Sequence, residues 1–143
     1  MPHNITGNCL FGQVSYAAQA DPVFAAHCHC DDCRKNTGSD YAALVFVPME
    51  SLTWQGETRS YSHHADSGNL MTKYFCPQCV SQLFGTNSAR NDRMHIKVGS
   101  MDDASWFQPW YNVFASRRLP STPINADVPD ADADTMPKPK SKP

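Results

Sequence analysis

The cysteines constrain the fold of this chain most, because five of the six stand in two tight clusters. The six residues are Cys9, Cys28, Cys30, Cys33, Cys76 and Cys79. The first cluster lies in HCHCDDCRK (27–35), the second is CPQC (76–79), and the remaining cysteine stands alone in GNCLFG. Zinc prefers thiolate ligands in a tetrahedron, and a C-x-x-C turn lets two thiolates converge on one ion. The layout therefore predicts that at least three of these cysteines bind metal.

Disulfides and a redox dithiol are the alternatives to metal. The first residues, MPHNITGNCLFGQVSY, lack a basic stretch followed by an apolar one, so no secretory signal is expected and the cytoplasm is the predicted compartment. Thiols stay reduced there, which favours metal ligands over disulfides. A redox C-x-x-C usually opens a helix in a βαβ unit, whereas CPQC stands between strand-like runs.

Charge and hydropathy exclude two classes of partner. The formal net charge is −2 and no basic stripe is present, so nucleic acid is not the expected partner. No run approaches the roughly 20 apolar residues of a membrane-spanning helix, so no membrane span is expected.

Short apolar runs predict a mainly β protein of antiparallel sheets with little helix. Strand-like runs include YAALVFVP (41–48), NLMTKYF (69–75), SQLFGTN (81–87) and MHIKVGSM (94–101). A further strand is expected over 22–30, with Cys28 and Cys30 on one face and His27 and His29 on the other. DDCRKNTGS predicts a short helix that Asp31 or Asp32 caps and Gly38 ends.

The composition divides the chain at about residue 120. Residues 1–120 have the apolar content of a folded domain. The stretch from Leu119 onwards contains six of the eleven prolines and almost no large apolar groups after Ile124. Residues 121–143 are therefore predicted to be a disordered tail, and a chain that ends at Thr122 is expected to keep its melting temperature.

Four segments resemble one known family. GNCLFGQVSY, HCHCDDCRKNTGS, FCPQCVSQLF and MHIKVGSMDD are similar to segments of the glutathione-dependent formaldehyde-activating enzyme family, also called the centromere protein V family. The resemblance covers about residues 5–118. It implies a twisted, largely antiparallel β architecture of the Mss4-like type with zinc knuckles. The family's type enzyme joins formaldehyde to glutathione, giving S-hydroxymethylglutathione, and is classed as a carbon–sulfur lyase.

The resemblance implies two zinc sites and a small thiol, such as glutathione, as substrate. Carried over by position, Cys9, Cys76 and Cys79 belong to a structural site. Cys28, Cys30 and Cys33 belong to a catalytic site whose three protein ligands leave one tetrahedral position open. On this basis the chain is expected to be a carbon–sulfur lyase that acts on a thiol–aldehyde adduct. The alternatives are a non-catalytic, zinc-stabilised binding domain and a sensor or store of thiols or metal.

The chain departs from the family pattern at two positions. Phe11 stands where the family has the second cysteine of a C-x-C pair, and Val80 follows CPQC where the family usually has glycine. A core-filling ring at Phe11 would leave the structural site with three cysteine ligands. One zinc held by these three and by one cysteine of residues 28–33 is then an alternative to two separate ions. A β-branched residue resists positive φ, so the turn at Val80 is expected to differ.

Two histidines and two cations flank the cysteines of the first cluster. His27 and His29 are expected to lie at the surface or around the metal rather than to bind it. Arg34 and Lys35 follow Cys33 directly, and they either balance the charge of a three-thiolate zinc, attract a carboxylate of the substrate, or are simply solvated on a turn.

Overall fold

The computed structural model describes residues 2–132, and it confirms a mainly β protein. The described part contains one helix, α1 (Asp31–Thr37), and ten strands. The strands are β1 (His3–Asn8), β2 (Ser15–Ala20), β3 (Phe24–Cys28), β4 (Ala42–Pro48), β5 (Leu52–Gln55), β6 (Arg59–His64), β7 (Leu70–Phe75), β8 (Gln82–Asn87), β9 (Arg93–Lys97) and β10 (Tyr111–Val113). Three short 3-10 turns, at 49–51, 98–100 and 115–117, complete the regular structure of residues 2–132.

The chain divides into two compact units, each made of two segments. Of the described residues, the first unit contains 2–23 and 45–107, and the second contains 24–44 and 108–132. β4 contributes its first three residues to the second unit and the rest to the first. Among residues 2–132 no helix is long and apolar enough to cross a membrane.

Antiparallel pairing dominates the first unit, with β1–β2, β2–β5, β6–β7, β7–β8 and β8–β9 all antiparallel. β1, β2 and β5 form a three-stranded sheet in the order β1-β2-β5. A larger sheet has the order β4-β9-β8-β7-β6. Rings from both sheets pack in the core, where the centroids of Trp54 and Phe84 lie 4.6 Å apart and those of Tyr16 and Phe84 lie 5.7 Å apart. Burial of these large apolar groups supplies the main driving force for this packing.

The second unit contains a parallel strand pair. β10 pairs parallel with β3, and β3 lies beside β4. Phe24 packs edge-on against Trp110, with their ring centroids 5.7 Å apart. A three-residue strand such as β10 is too short to show an alternating sequence pattern. Its pairing partners on β3 also lie more than 80 positions away in the chain.

Helix α1 follows the sequence prediction at its end but not at its start. Gly38 ends it with φ 71°, and its N–H donates to the carbonyl of Arg34. The N-cap is Cys30, whose sulfur accepts a hydrogen bond from the Cys33 N–H at 3.3 Å. Asp31 and Asp32 therefore lie in the first turn, and the prediction that one of them is the cap is wrong.

Residues 121–132 do not form the disordered tail that the composition predicts. Val128 and Thr122 are buried, and the Thr122 hydroxyl donates to Asp40 at 3.0 Å. The Asn112 N–H donates to the Pro129 carbonyl, and the Ala131 N–H donates to the Asn112 carbonyl, both at 2.9 Å. Two buried side chains and a backbone ladder thus hold a segment whose composition lacks a large apolar run. The remainder of the predicted tail, 133–143, lies outside the described residues.

Candidate metal centres

Three thiols of the first unit converge on one point. Cys9 follows β1, Cys76 follows β7, and Cys79 closes the turn that leads to β8. Their sulfur atoms all lie within 4.8 Å of one another. Two thiolates on one tetrahedral zinc, with Zn–S bonds of about 2.3 Å, lie about 3.8 Å apart. The donor type and the spacing therefore fit a zinc ion.

The loop after β1 turns tightly around Cys9. The Gly12 N–H donates to the Cys9 carbonyl at 3.0 Å, and the Val14 N–H donates to the Cys9 sulfur at 3.3 Å. Gly12 has φ 87°, a conformation that glycine adopts without steric cost. These bonds hold the Cys9 side chain toward the interior, where the residue is only 3% exposed.

The CPQC turn between β7 and β8 is built in a similar way. The Gln78 N–H donates to the Cys76 sulfur at 3.4 Å, and the Val80 N–H donates to the Cys76 carbonyl at 2.8 Å. Val80 has φ 64°, so the expectation that a β-branched residue forces a different turn is wrong. The turn keeps the left-handed conformation, and Val80 accepts the strain that glycine avoids.

Phe11 is not a core residue. Its side chain is 69% exposed and its neighbour Leu10 is 89% exposed, so the prediction of a core-filling ring is wrong. The tight turn at Gly12 places both side chains on the outside of the loop. Among residues 2–132 this thiol group has three members, without a fourth histidine, cysteine or carboxylate.

Hydrogen bonding favours the ionised form of one thiol in this group. The Ser81 hydroxyl lies 3.1 Å from the Cys79 sulfur. This hydroxyl, with the backbone amides of Ser81 and Phe11, lowers the pKa of Cys79 to about 6. Burial acts in the opposite direction on Cys76 and raises the pKa of its thiol.

The second unit holds the other three thiols. Cys28 ends β3, Cys30 caps α1 and Cys33 lies in the first turn of the helix. Their sulfur atoms are also within 4.8 Å of one another, and the Cys28 thiol donates to the Cys30 sulfur at 3.4 Å. Cys30 is not on a strand, so the predicted i, i+2 strand geometry is wrong. The turn from β3 into α1 nevertheless brings the three sulfurs together.

Charges around this second group are largely paired. Arg34 contacts Asp31 at 3.5 Å, and Arg117 approaches the same carboxylate at 3.9 Å. Lys35 is exposed on α1. The hydrogen bonds that the Cys28 thiol makes with Cys30 and Cys33 raise its pKa, as does burial. A thiol with a raised pKa is poorly ionised by itself, and binding a cation between the three sulfurs would reverse this preference.

Neither neighbouring histidine belongs to a thiol group of the described chain. His29 is only 2% exposed and its ring lies 5.1 Å from that of Tyr41, so a surface position is wrong for it. Burial lowers its pKa. The His27 ring lies 4.4 Å from that of Tyr41 and is tilted by 31° to it, and burial with the neighbouring His29 lowers the pKa of His27 to about 4. Both rings therefore stay neutral near pH 7.

The six sulfurs fall into two groups of three, and each group is complete within one unit. This grouping matches the two-site alternative rather than one zinc shared between the clusters. A mainly β scaffold with two three-thiol groups defines the class as a candidate zinc-knuckle protein.

Comparison with known proteins identifies the family within that class. The family model of the glutathione-dependent formaldehyde-activating enzyme matches residues 4–117, so the chain belongs to this family. In fold, the chain is similar to the crystal structure of a structural-genomics protein from Rhodobacter sphaeroides. The two share 15% sequence identity with a TM-score of 0.54, over 87% of this chain and 98% of that one. No curated protein matches the chain significantly.

Proposed function

We propose that this protein is a zinc-dependent carbon–sulfur lyase acting on a thiol–aldehyde adduct such as S-hydroxymethylglutathione. Membership of the formaldehyde-activating family supports the reaction type. The convergence of Cys28, Cys30 and Cys33 carries the proposal, because three protein ligands leave one tetrahedral position for a substrate. A reducing compartment such as the cytoplasm would keep these thiols available.

The residues of this site hold the ion and adjust its charge. Zinc, when bound, supplies a Lewis acid that favours the deprotonated form of a thiol at its open position. Three thiolates with one divalent cation carry a formal charge of −1. The Cys33 N–H that donates to the Cys30 sulfur spreads part of this charge onto the backbone of α1.

The reaction that this site would support balances without a redox partner. In the direction of synthesis, the sulfur of the thiol attacks the carbonyl carbon of formaldehyde. A C–S bond forms, the C=O π bond breaks, and the thiol proton ends on the new hydroxyl oxygen. The lyase direction reverses each of these changes. The protein contributes orientation and a fixed electrostatic environment.

The first experiment measures zinc and activity on the same preparation. Elemental analysis of protein purified without added metal should find at least about one zinc per chain, given the affinity of thiolate sites. Formation of S-hydroxymethylglutathione from formaldehyde and glutathione, followed by NMR, should exceed the uncatalysed rate and be lost in Cys33→Ser. The matched control Ser39→Ala, at an exposed position just beyond α1, should retain activity. A zinc-loaded protein with no activity would overturn the proposal.

A second candidate function is a non-catalytic, zinc-stabilised binding domain. The exposed side chains around the other thiol group favour it, since Leu10, Phe11 and Val80 are 89%, 69% and 67% exposed. This function predicts that zinc is required for folding and that Cys33→Ser changes no reaction rate. The activity assay above therefore separates the two candidates.

A further inference from the structure

A row of side chains crosses one face of the larger sheet of the first unit. On three adjacent strands, Lys73 of β7 pairs with Gly85 of β8, and Gly85 pairs with His95 of β9. Directly paired residues point to the same face of a sheet, and so do residues two apart on one strand. Lys97 therefore shares this face as well. We call Lys73, Gly85, His95 and Lys97 the cationic row.

The cationic row lies opposite the aromatic core. The next residues along the same strands, Tyr74, Phe84 and Ile96, alternate onto the core face, where Phe84 contacts Tyr74 with ring centroids 5.7 Å apart. The face with the cationic row is nevertheless covered. Lys73 is 8% exposed, His95 5% and Lys97 9%.

Gly85 leaves the space into which the His95 ring fits. A Cβ atom at Gly85 would lie 2.6 Å from Cε1 and 2.9 Å from Nε2 of His95, and 2.6 Å from the Thr72 carbonyl oxygen. The imidazole thus lies across the glycine, toward the strand that carries Lys73. Its Nε2 atom is buried and has no hydrogen-bond partner among residues 2–132.

The charges around His95 are of one sign. Burial, with the nearby Lys97 and Lys73, holds the pKa of His95 well below its usual range, so the ring is neutral. Within residues 2–132, no carboxylate forms an ion pair with Lys73. A buried ammonium and a buried unpaired ring nitrogen both cost free energy unless something compensates them. An anion placed between them would satisfy both groups at once.

We propose that the cationic row is a binding subsite for a small oxyanion, held by the Lys73 ammonium and the His95 Nε2–H. Lys73 and His95 stand on the two strands that flank Gly85, two inter-strand spacings or about 10 Å apart, and an oxyanion bound over the glycine would bridge them. The subsite uses no cysteine, and it stands whether or not the proposed lyase activity is correct.

The test uses three probes on the full chain. Acetate represents a free carboxylate, S-methylglutathione carries two carboxylates but no free thiol, and inorganic phosphate represents the other oxyanion source. Binding is followed by calorimetry and by NMR of the His95 imidazole. At least one probe should bind at millimolar concentration and shift the Nε2 resonance of His95. The probe that binds most tightly shows whether the subsite takes a carboxylate or a phosphate. Absence of binding for all three would overturn the proposal.

Charge variants localise the binding. Lys73→Gln should weaken the preferred probe about tenfold or more, the loss expected for a charged hydrogen bond, whereas Lys73→Arg should retain it. Lys35→Gln is the matched control, because it removes an exposed lysine that the sequence also makes a candidate partner for a substrate carboxylate. An equal loss in both Gln variants, or a loss in Lys35→Gln alone, would overturn the proposal. The His95 resonance in the unmodified chain decides the matter if Lys73→Gln does not fold.

Discussion

Val80 occupies a backbone conformation that β-branched residues avoid. Its φ of 64° lies in the left-handed region, and its side chain is 67% exposed, so it gains little from packing. Left-handed backbone at such a residue costs on the order of 1–3 kcal/mol. The hydrogen bond from its N–H to the Cys76 carbonyl shows why the strain is retained, since that bond closes the turn which positions two thiols.

We predict that Val80→Gly stabilises the protein. The substitution removes backbone strain from the folded state, but glycine also raises the conformational entropy of the unfolded chain. The net result is a free energy of unfolding that is higher by about 1 kcal/mol, or roughly 3 °C in melting temperature. Thermal unfolding measures it. Val23→Gly is the control, because Val23 is 38% exposed and is not among the positive-φ residues. It should lose stability. A melting temperature for Val80→Gly below that of the unmodified chain would contradict the prediction that Val80 is strained.

Phe11 is the position at which a fourth thiol could be restored. Its exposed ring contributes little packing, and its backbone amide donates to the Cys79 thiol. We expect Phe11→Cys to complete a four-thiolate site and slow zinc loss to a chelator by about tenfold or more. Leu10→Cys adds a thiol one residue away, on a side chain that is 89% exposed, and should change the rate little. Equal effects of the two variants would show that any nearby thiol suffices.

At the scale of elements, the two thiol groups differ in what they tie together. Cys76 is fully buried between β7 and β8, and its group includes Cys9 from the loop after β1. Cys33 lies on a seven-residue helix that has no buried residue. The first group therefore links several strands of one unit, whereas the second links the end of β3 to α1.

This difference predicts that Cys76→Ser lowers stability more than Cys33→Ser. Structural zinc contributes on the order of 10 kcal/mol to folding in small zinc domains, and loss of a buried ligand removes much of that contribution. Soluble yield and melting temperature of the two variants provide the comparison, with zinc content measured on each. Equal losses, or a greater loss in Cys33→Ser, would contradict this division of roles.

At the scale of the whole molecule, the described C-terminal segment is part of the folded structure. Arg118 pairs with Asp130, and the Asn112 side chain donates to the same carboxylate at 3.1 Å. Val128 is buried. The family match ends at residue 117, so this segment is an addition to the matched region that packs within the second unit.

A chain that ends at Thr122 is therefore expected to lose stability, contrary to the expectation from composition. Loss of Val128 burial and of the hydrogen bonds to Asn112 and Arg118 removes about 3 kcal/mol, roughly 6–12 °C in melting temperature. A chain that ends at Asp132 keeps all of these contacts and should melt within about 2 °C of the full chain. Equal melting temperatures for the two truncations would show that the segment contributes nothing.

Local sequence signals were sufficient for much of the fold. Alternation and apolar runs predict strands that match β4, β7, β8 and β9, because a run of four to eight residues is long enough to show a strand pattern. Gly38 marks the end of α1 because few other residues adopt its left-handed conformation. The cysteine spacing predicts metal ligation, and the structure places the thiols in two groups that could each hold an ion.

The sequence by itself determined the family, the mainly β class and the six candidate ligands, since each depends on residue type and short spacing. Only the tertiary structure decided between two separate thiol groups and one shared site, that Cys30 caps α1, and that residues 121–132 pack. It also placed Lys73 and His95 on one buried face, although 22 positions separate them in the chain. These features depend on contacts between segments that are distant in the chain, and a local sequence pattern does not determine the free energy of such contacts.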